Sequence, residues 1–257
     1  MGAGSVSVIV PAFNESECLL ENLREAARVF ATFATPFEII VVDDGSSDGT
    51  HLAAKRALCE HPRHVRVVRY DSNKGKGNAL MAGVSEARGE YAVFLDADMD
   101  LHPRQLPTFF ALLQSQGADA VIGSKWHAQS RVRYPAARRF YSKCYAAAVR
   151  LLFGLSLRDT QTGLKLYRMA LLNDVLPWLL VKRFAFDIEL LAVAHARGYT
   201  IVDAPVTLDF QRSMGRVRLR DAWLVLVDTL AIFYRLRLLH YYDRPTPQED
   251  RGRLEVS

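Results

Sequence analysis

Short apolar, β-branched runs recur through the first half of the chain: SVSVIV (5–10), FEIIVV (37–42), VRVV (65–68), YAVFL (91–95) and DAVIG (119–123). Longer segments of helical composition separate them, and this alternation predicts a mostly parallel sheet wrapped by helices. Between residues 15 and 33, Leu19, Leu20, Leu23, Ala26, Ala27 and Phe30 fall at helical spacing, so that segment is expected to cover one face of the sheet. From 124 to 135 the periodicity stops and the composition turns basic and polar, which predicts a mobile loop before a helix over 136–153. Helices are expected at 186–197 and 219–239, with strands near 200–203 and 206–210. The pattern divides the chain into an α/β unit over 1–218, an amphipathic helix over 219–242 and a polar, disordered tail over 243–257. No internal repeat is visible.

Length and composition narrow the class. The chain has 257 residues, half of them hydrophobic, which suffices for one substantial core. The longest apolar stretch, 222–234, contains Asp228 and falls short of the roughly 20 residues that cross a bilayer. The first strand-like run has no basic leader and stops at Pro11, so it reads as a strand and not as a signal peptide. Cys18, Cys59 and Cys144 are odd in number and widely spaced, with no CxxC pair. They suggest neither a disulfide framework nor a thiolate zinc site, and a reducing cytoplasm is expected. A formal charge of +5 suits an anionic partner, whether nucleotide, phospholipid surface or nucleic acid.

Ligands of an open parallel sheet collect beyond the carboxyl ends of its strands, and three unusual segments fall there: PAFNE (11–15), DDGSSDGT (43–50) and DADMD (96–100). Crowded carboxylates in DADMD repel one another unless a cation or hydrogen-bond donor compensates, and hard oxygen ligands of this kind suit Mg²⁺ or Mn²⁺. Taken alone, the turn reads equally well as a solvated cap on the helix near Pro103. Asp43 and Asp44 likewise fit an ordinary strand-to-helix turn with Asp48 as a cap, or a carboxylate edge facing a base or ribose. No GxGxxG follows the first strand and no GxxxxGK[ST] occurs, which argues against a dinucleotide cofactor or a phosphate loop. NKGKGN (73–78) offers Lys74, Lys76 and backbone donors to phosphate oxygens. His61 and His64 precede a strand, no HExxH occurs, and both read as surface histidines.

In this order PAFNE, VVDDGSSDGT, NKGKGNAL, FLDADMD, GSK, DTQTGLKLYR and FDIELL resemble the family-two glycosyltransferases of GT-A fold. The resemblance covers about residues 5–220 and is strongest to the polyprenyl-phosphate hexose synthases, the group of the dolichyl-phosphate glucose and mannose synthases. It implies that Pro11, Glu15, Asp43, Asp44, Lys76 and Asp96 bind the nucleotide-sugar donor. It implies that Asp96 and Asp98 form the signature acidic pair, with Asp98 and Asp100 holding the metal. Asp100 stands where mannose synthases often carry Gln. Lys125, Arg139, Ser142, Arg212 and Arg218 match positions that contact an acceptor phosphate. In FQRSMGRVR (210–218), however, the spacing before Arg212 is one residue shorter than the family pattern, and Ser-Lys is replaced by Val217-Arg218. By the same resemblance Asp96, Asp98, Arg139 and Arg212 carry catalysis, whereas Arg216 and Arg220 read as solvated charges.

FDIELL leaves two readings open: a packing helix with Asp187 and Glu189 in water, or a carboxylate near the sugar. A hydroxyl acceptor needs a base to take its proton, whereas a phosphomonoester is already largely ionised near neutral pH. The expected activity is inverting transfer of a hexose from UDP-glucose, ahead of GDP-mannose, to a polyprenyl or dolichyl phosphate. Transfer to a soluble or polysaccharide hydroxyl, nucleotidyl transfer, and noncatalytic nucleotide or RNA binding are the competing classes. The last gives no reason for the acidic turns, and no nucleic-acid partner is expected. Peripheral attachment to the cytoplasmic face of a membrane is expected through 138–153, where Arg138, Arg139, Lys143 and Arg150 mix with Phe140, Tyr141, Leu151, Leu152 and Phe153, and through 219–239.

Overall fold

The computed structural model describes residues 4–132, 136–181, 185–208 and 219–243, with side chains left aside over 136–144 and 219–223. Seven strands form one sheet in the order β3-β2-β1-β4-β7-β5-β8. They are β1 (Val6–Ala12), β2 (Phe37–Asp43), β3 (Val65–Arg69), β4 (Tyr91–Leu95), β5 (Ala120–Ser124), β7 (Leu164–Arg168) and β8 (Ile201–Pro205). β1 pairs in parallel with both β2 and β4, while β7 runs antiparallel to β4 and to β5. The fold is the mostly parallel α/β sheet expected of a GT-A protein. The chain moves outward from β1 to β3, then crosses back to place β4 on the other side of β1. That reversal opens a crevice beyond the carboxyl ends of β1 and β4.

Both sheet faces are covered, which is why the central strands are apolar runs without alternation. On one face Val8, Val10, Ile39 and Val41 pack under α1 (Leu19–Ala31), α2 (Thr50–Glu60) and α4 (Leu106–Ser115). On the other, Ile9, Phe94 and Ile122 meet α3 (Lys76–Glu86), α5 (Ala136–Phe153), α6 (Met169–Val175), α7 (Phe186–Ala196) and α8 (Leu219–Phe233).

Several expectations shift. The first helix begins at Leu19 and not near Glu15, because the intervening backbone is drawn onto the neighbouring loop: Glu15 N–H donates to Thr50 Oγ1 at 2.8 Å and Ser16 N–H to Asp48 Oδ2 at 3.2 Å. The segment expected to be a mobile loop is partly pinned. Its β6 (Arg131–Val132) pairs with β9 (Thr207–Leu208), and Ser130 Oγ donates to Ser124 O at 2.6 Å and accepts Val206 N–H at 2.9 Å. β7 is a strand that the hydrophobic pattern does not reveal, since a lysine interrupts its apolar run. Leu164 and Leu166 face one layer, while Lys165 and Tyr167 face the other.

The C-terminal helix packs on this second face. Ile232, Leu236 and Tyr242 join the core, and a π-helical turn (Tyr234–Leu238) follows α8. Its Arg235 donates to Glu189 Oε1 at 3.0 Å, Tyr242 OH donates to the same oxygen, and Leu180 and Val181 N–H donate to Glu189 Oε2 at 3.0 and 2.7 Å. Glu189 is therefore fully buried and not in water. Asp187 is buried as well, so the solvent-facing reading of this helix is wrong: α7 is covered on all sides and both carboxylates find internal cations. Phe153, expected at a lipid surface, instead lies in the core against Phe233.

Removing the Glu189 carboxylate strands a largely buried guanidinium and two backbone donors. Glu189→Ala is expected to lower unfolding stability by about 3–5 kcal/mol. Urea denaturation checks this, and a loss below about 1 kcal/mol would mean that the cluster is not a structural clasp.

Candidate functional site

The three acidic or polar turns do share one edge. At the end of β1, Asn14 adopts a left-handed backbone with φ 57°. Its N–H donates to Ser46 Oγ at 3.0 Å, and its side-chain oxygen accepts Ser47 N–H at 3.0 Å. PAFNE and DDGSSDGT are thereby laced into one wall, with Phe13 exposed on it and Pro11 partly covered.

Asp43 and Asp44 are both buried in that wall and are engaged by the protein itself. Asp43 Oδ1 accepts Ser46 N–H at 3.0 Å, and its other oxygen lies 3.6 Å from Arg69 Nε and 3.7 Å from His51 Nδ1. Asp44 accepts Lys74 N–H at 2.8 Å and Gly75 N–H at 2.9 Å, which fastens the glycine-lysine loop to the end of β2. Gly45 makes the turn possible: its φ is +73°, and a Cβ there would lie 2.4 Å from the Ser72 carbonyl carbon.

The loop then delivers Lys76 to the acidic turn. Its Nζ is 2.5 Å from Asp96 Oδ1. Burial opposes charge on this lysine, but the carboxylates of Asp96 and Asp187 outweigh it and raise its pKa above the ordinary range. Asp96 has its own pKa lowered because Lys76, with Lys165 behind it, overcomes the desolvation that would raise it. Its N–H donates to Gly163 O at 3.1 Å, and a Cβ on Gly163 would strike Asp96 Oδ2 at 2.3 Å. The glycine of DTQTG is thus a seat for the first aspartate of DADMD.

Asp98 is in the opposite electrostatic condition. Burial raises its pKa, and the neighbouring Asp96 and Asp100 raise it further. Asp98 Oδ1 also accepts Asp100 N–H at 3.2 Å, while Asn22 Nδ2 donates to Ala97 O at 2.7 Å and ties the turn to α1. Among the described residues no group of three or more His, Cys, Asp or Glu side chains is gathered as a metal site. The chemistry of the donors nevertheless fits Mg²⁺ or Mn²⁺: two hard carboxylates, on a turn whose negative charge is under-compensated, supply part of an oxygen shell.

Lys125, just after β5, has its Nζ 3.6 Å from Asp159 Oδ2, and its N–H donates to the same oxygen at 3.3 Å. Asp159 Oδ1 accepts Gln161 N–H at 3.2 Å, so Asp159 ties Lys125 to the DTQTG segment. Arg158 N–H donates to Asp203 Oδ2 at 3.0 Å, and burial pushes the Asp203 carboxyl up to about 6. Arg139 and Ser142 sit on the backbone of α5, with side chains outside the described residues; Arg212 and Arg218 lie outside the described residues altogether. The structure thus brings Pro11, Glu15, Asp43, Asp44, Lys76, Asp96, Asp98 and Asp100 to one edge. Pattern reading missed Asp159, Gly163 and Lys165, all within DTQTGLKLYR: the first two lie in the turn before β7, and Lys165 lies in a strand whose buried lysine breaks the apolar run.

Comparison with known proteins agrees with this architecture. The profile of glycosyl transferase family 2 matches residues 7–176. Glycosyltransferase AglD of Haloferax volcanii is 32% identical over 207 residues, covering 78% of this chain and 32% of AglD. The dolichyl-phosphate beta-glucosyltransferase of Saccharomyces cerevisiae is 27% identical over 225 residues, covering 79% of this chain and 66% of the yeast protein. The chain therefore spans about a third of the first relative's length and about two-thirds of the second's. In fold it is similar to glucosyl-3-phosphoglycerate synthase from Mycobacterium tuberculosis, solved with Mn²⁺, UDP and phosphoglyceric acid, with a TM-score of 0.66 and 21% identity over 96% of this chain and 81% of that one. With two-thirds of its length matched by the profile and the acidic turns gathered at one switch point, this chain belongs to glycosyl transferase family 2.

Proposed function

We propose that the protein transfers a hexose from a nucleotide sugar to a polyprenyl or dolichyl phosphate, with inversion at the anomeric carbon. The observation that carries this reading is the disfavoured negative charge of Asp98, set by burial and by the carboxylates of Asp96 and Asp100, at the sheet's switch point beside an aspartate already neutralised by Lys76. A diphosphate-bound divalent cation matches that charge. Asp98 and Asp100 would hold Mg²⁺ or Mn²⁺, which supplies Lewis-acid stabilisation to the departing nucleoside diphosphate when bound.

Pro11 and Glu15 line the nucleotide side, Asp43 and Asp44 keep that wall and the Lys76 loop in place, and Lys76 with Asp96 borders the donor. Lys125, Arg139, Ser142, Arg212 and Arg218 receive the acceptor phosphate. An acceptor phosphate oxygen forms the new bond to the anomeric carbon as the bond to the diphosphate breaks on the opposite side, its electron pair leaving with the diphosphate. The reaction then depends on alignment and charge compensation more than on proton removal. Burial of Asp187 and Glu189 against internal cations supports this, since neither is a free base. The yeast relative's name supports a lipid-phosphate acceptor. UDP-glucose is the preferred donor, ahead of GDP-mannose.

A lipid acceptor calls for attachment to a membrane surface, and we place it at the cytoplasmic face. Among the described residues no helix is long and apolar enough to cross a membrane. The outward face of α8 and its π-helical turn is nevertheless apolar: Leu226, Leu230 and Leu238 are 43%, 50% and 63% exposed, whereas Phe153 is 1% exposed. Arg150 and Arg237 are exposed as well. Such a face suits the headgroup boundary of an anionic bilayer.

Three outcomes are expected. EDTA abolishes transfer and Mg²⁺ or Mn²⁺ restores it, while Asp98→Asn lowers kcat roughly 100-fold, about 2.7 kcal/mol of barrier, in a folded protein. Full transfer by a metal-free preparation sinks the metal assignment. In a donor panel with polyprenyl phosphate, scored by nucleoside diphosphate release and lipid product, Arg139→Ala and Arg212→Ala each raise the acceptor KM by about tenfold. Preference for a soluble hydroxyl acceptor over lipid phosphate would replace this reading. Finally, the protein floats with anionic liposomes at low salt and is partly released at high salt, and Leu226→Ser with Leu230→Ser weakens recovery. A folded wild type that never floats, even with polyprenyl phosphate in the vesicles, removes the membrane-surface proposal.

A further inference from the structure

Behind the acidic turn lies a second ion pair for which neither the core nor the proposed chemistry accounts. Lys165 occupies the middle of the sheet, opposite Phe94 on β4 and Ile122 on β5. Its Nζ is 2.5 Å from Asp187 Oδ1 at the start of α7, and the two side chains are 2% and 9% exposed. The outer pair, Lys76 with Asp96, has the same 2.5 Å separation but is 36% and 35% exposed. The two pairs interlock: the field of Asp187 acts on Lys76, and that of Lys165 acts on Asp96. Four charges of alternating sign thus run from the sheet interior to the edge of the crevice.

A buried lysine on a central strand contributes little to stability in itself. The cost of desolvating such a pair rivals its attraction, and apolar replacements of similar volume are often neutral or stabilising. Burial lowers the pKa of Lys165, and Asp187 opposes that shift. The pair also sits where α7 meets α3: a Cβ on Gly77, next to Lys76, would lie 2.6 Å from Phe186 Cβ, next to Asp187. The inner pair is therefore built at the joint that aims Lys76.

We infer that Lys165 and Asp187 are positioning residues, a buried counter-pair that holds Lys76 against Asp96 and so fixes the first carboxylate of the acidic turn. Asp187 thereby acts through its charge on Lys76 and takes no proton from the acceptor. This inference rests on the transferase reading for its kinetic consequence and on geometry alone for its structural one.

The decisive variant is Lys165→Met combined with Asp187→Leu, which replaces the inner pair by apolar groups of comparable size. It is expected to fold with an unchanged or raised thermal midpoint. Its crystal structure should show Lys76 Nζ moved out of hydrogen-bond reach of Asp96, and kcat should fall at least tenfold while the acceptor KM stays put. A purely structural pair would leave kcat untouched. Should the double variant not fold, Asp187→Asn keeps the packing and removes the charge, with the same displacement and the same kcat loss expected. Persistence of the 2.5 Å Lys76–Asp96 contact in the folded variant, or wild-type kcat despite its loss, overturns the inference. A wild type that releases no nucleoside diphosphate from any sugar nucleotide refutes the transferase reading instead, and the crystallographic distance still decides the positioning role.

Discussion

Three aspartates within one five-residue turn repel one another, and the architecture of the crevice follows from restraining that repulsion. Asp96 is held by Lys76 on one oxygen and seated over Gly163 on the other side. The turn's backbone is tied to α1 through Asn22. Lys76 reaches its place because Asp44 fastens the preceding loop by two backbone hydrogen bonds. With one carboxylate compensated internally, the crowding falls on Asp98, whose charge is disfavoured by burial and by Asp96 and Asp100, a condition that suits a divalent cation.

The carboxylates of this chain divide by what compensates them. Asp43, Asp44, Asp187 and Glu189 are buried and engaged by backbone donors or by cations of this chain, so they shape walls and joints. Asp98 stays partly exposed, and burial together with the neighbouring Asp96 and Asp100 disfavours its charge. That division favours chemistry driven by charge compensation and alignment over chemistry driven by a general base. It also gives physical content to membership of glycosyl transferase family 2, whose profile spans both kinds of carboxylate on β1 to α6.

The second face of the sheet links the crevice to the end of the chain. Glu189 on α7 binds Arg235 and Tyr242, so the C-terminal helix is part of the folded core and not an appendage. Because its inward face is taken by Ile232 and Leu236, the outward apolar side chains have no partner within the described core. An anchored helix with an apolar outer face can present a catalytic crevice to a surface in a fixed orientation.

Local pattern sufficed for the parallel strands, for α5 and α7 nearly to the residue, and for the convergence of PAFNE, DDGSSDGT and DADMD on one edge. Periodicity and turn composition are local properties, and the rule for parallel sheets carries them to a shared edge without further information. What only tertiary structure decided was the environment of each charge. Whether Asp187 and Glu189 face water, whether Phe153 faces lipid, and whether Lys165 lies in a strand depend on which elements pack across the sheet. Those contacts join residues far apart in the chain, such as Glu189 to Arg235 and Lys76 to Asp96, and desolvation has no signature in a run of neighbouring residues.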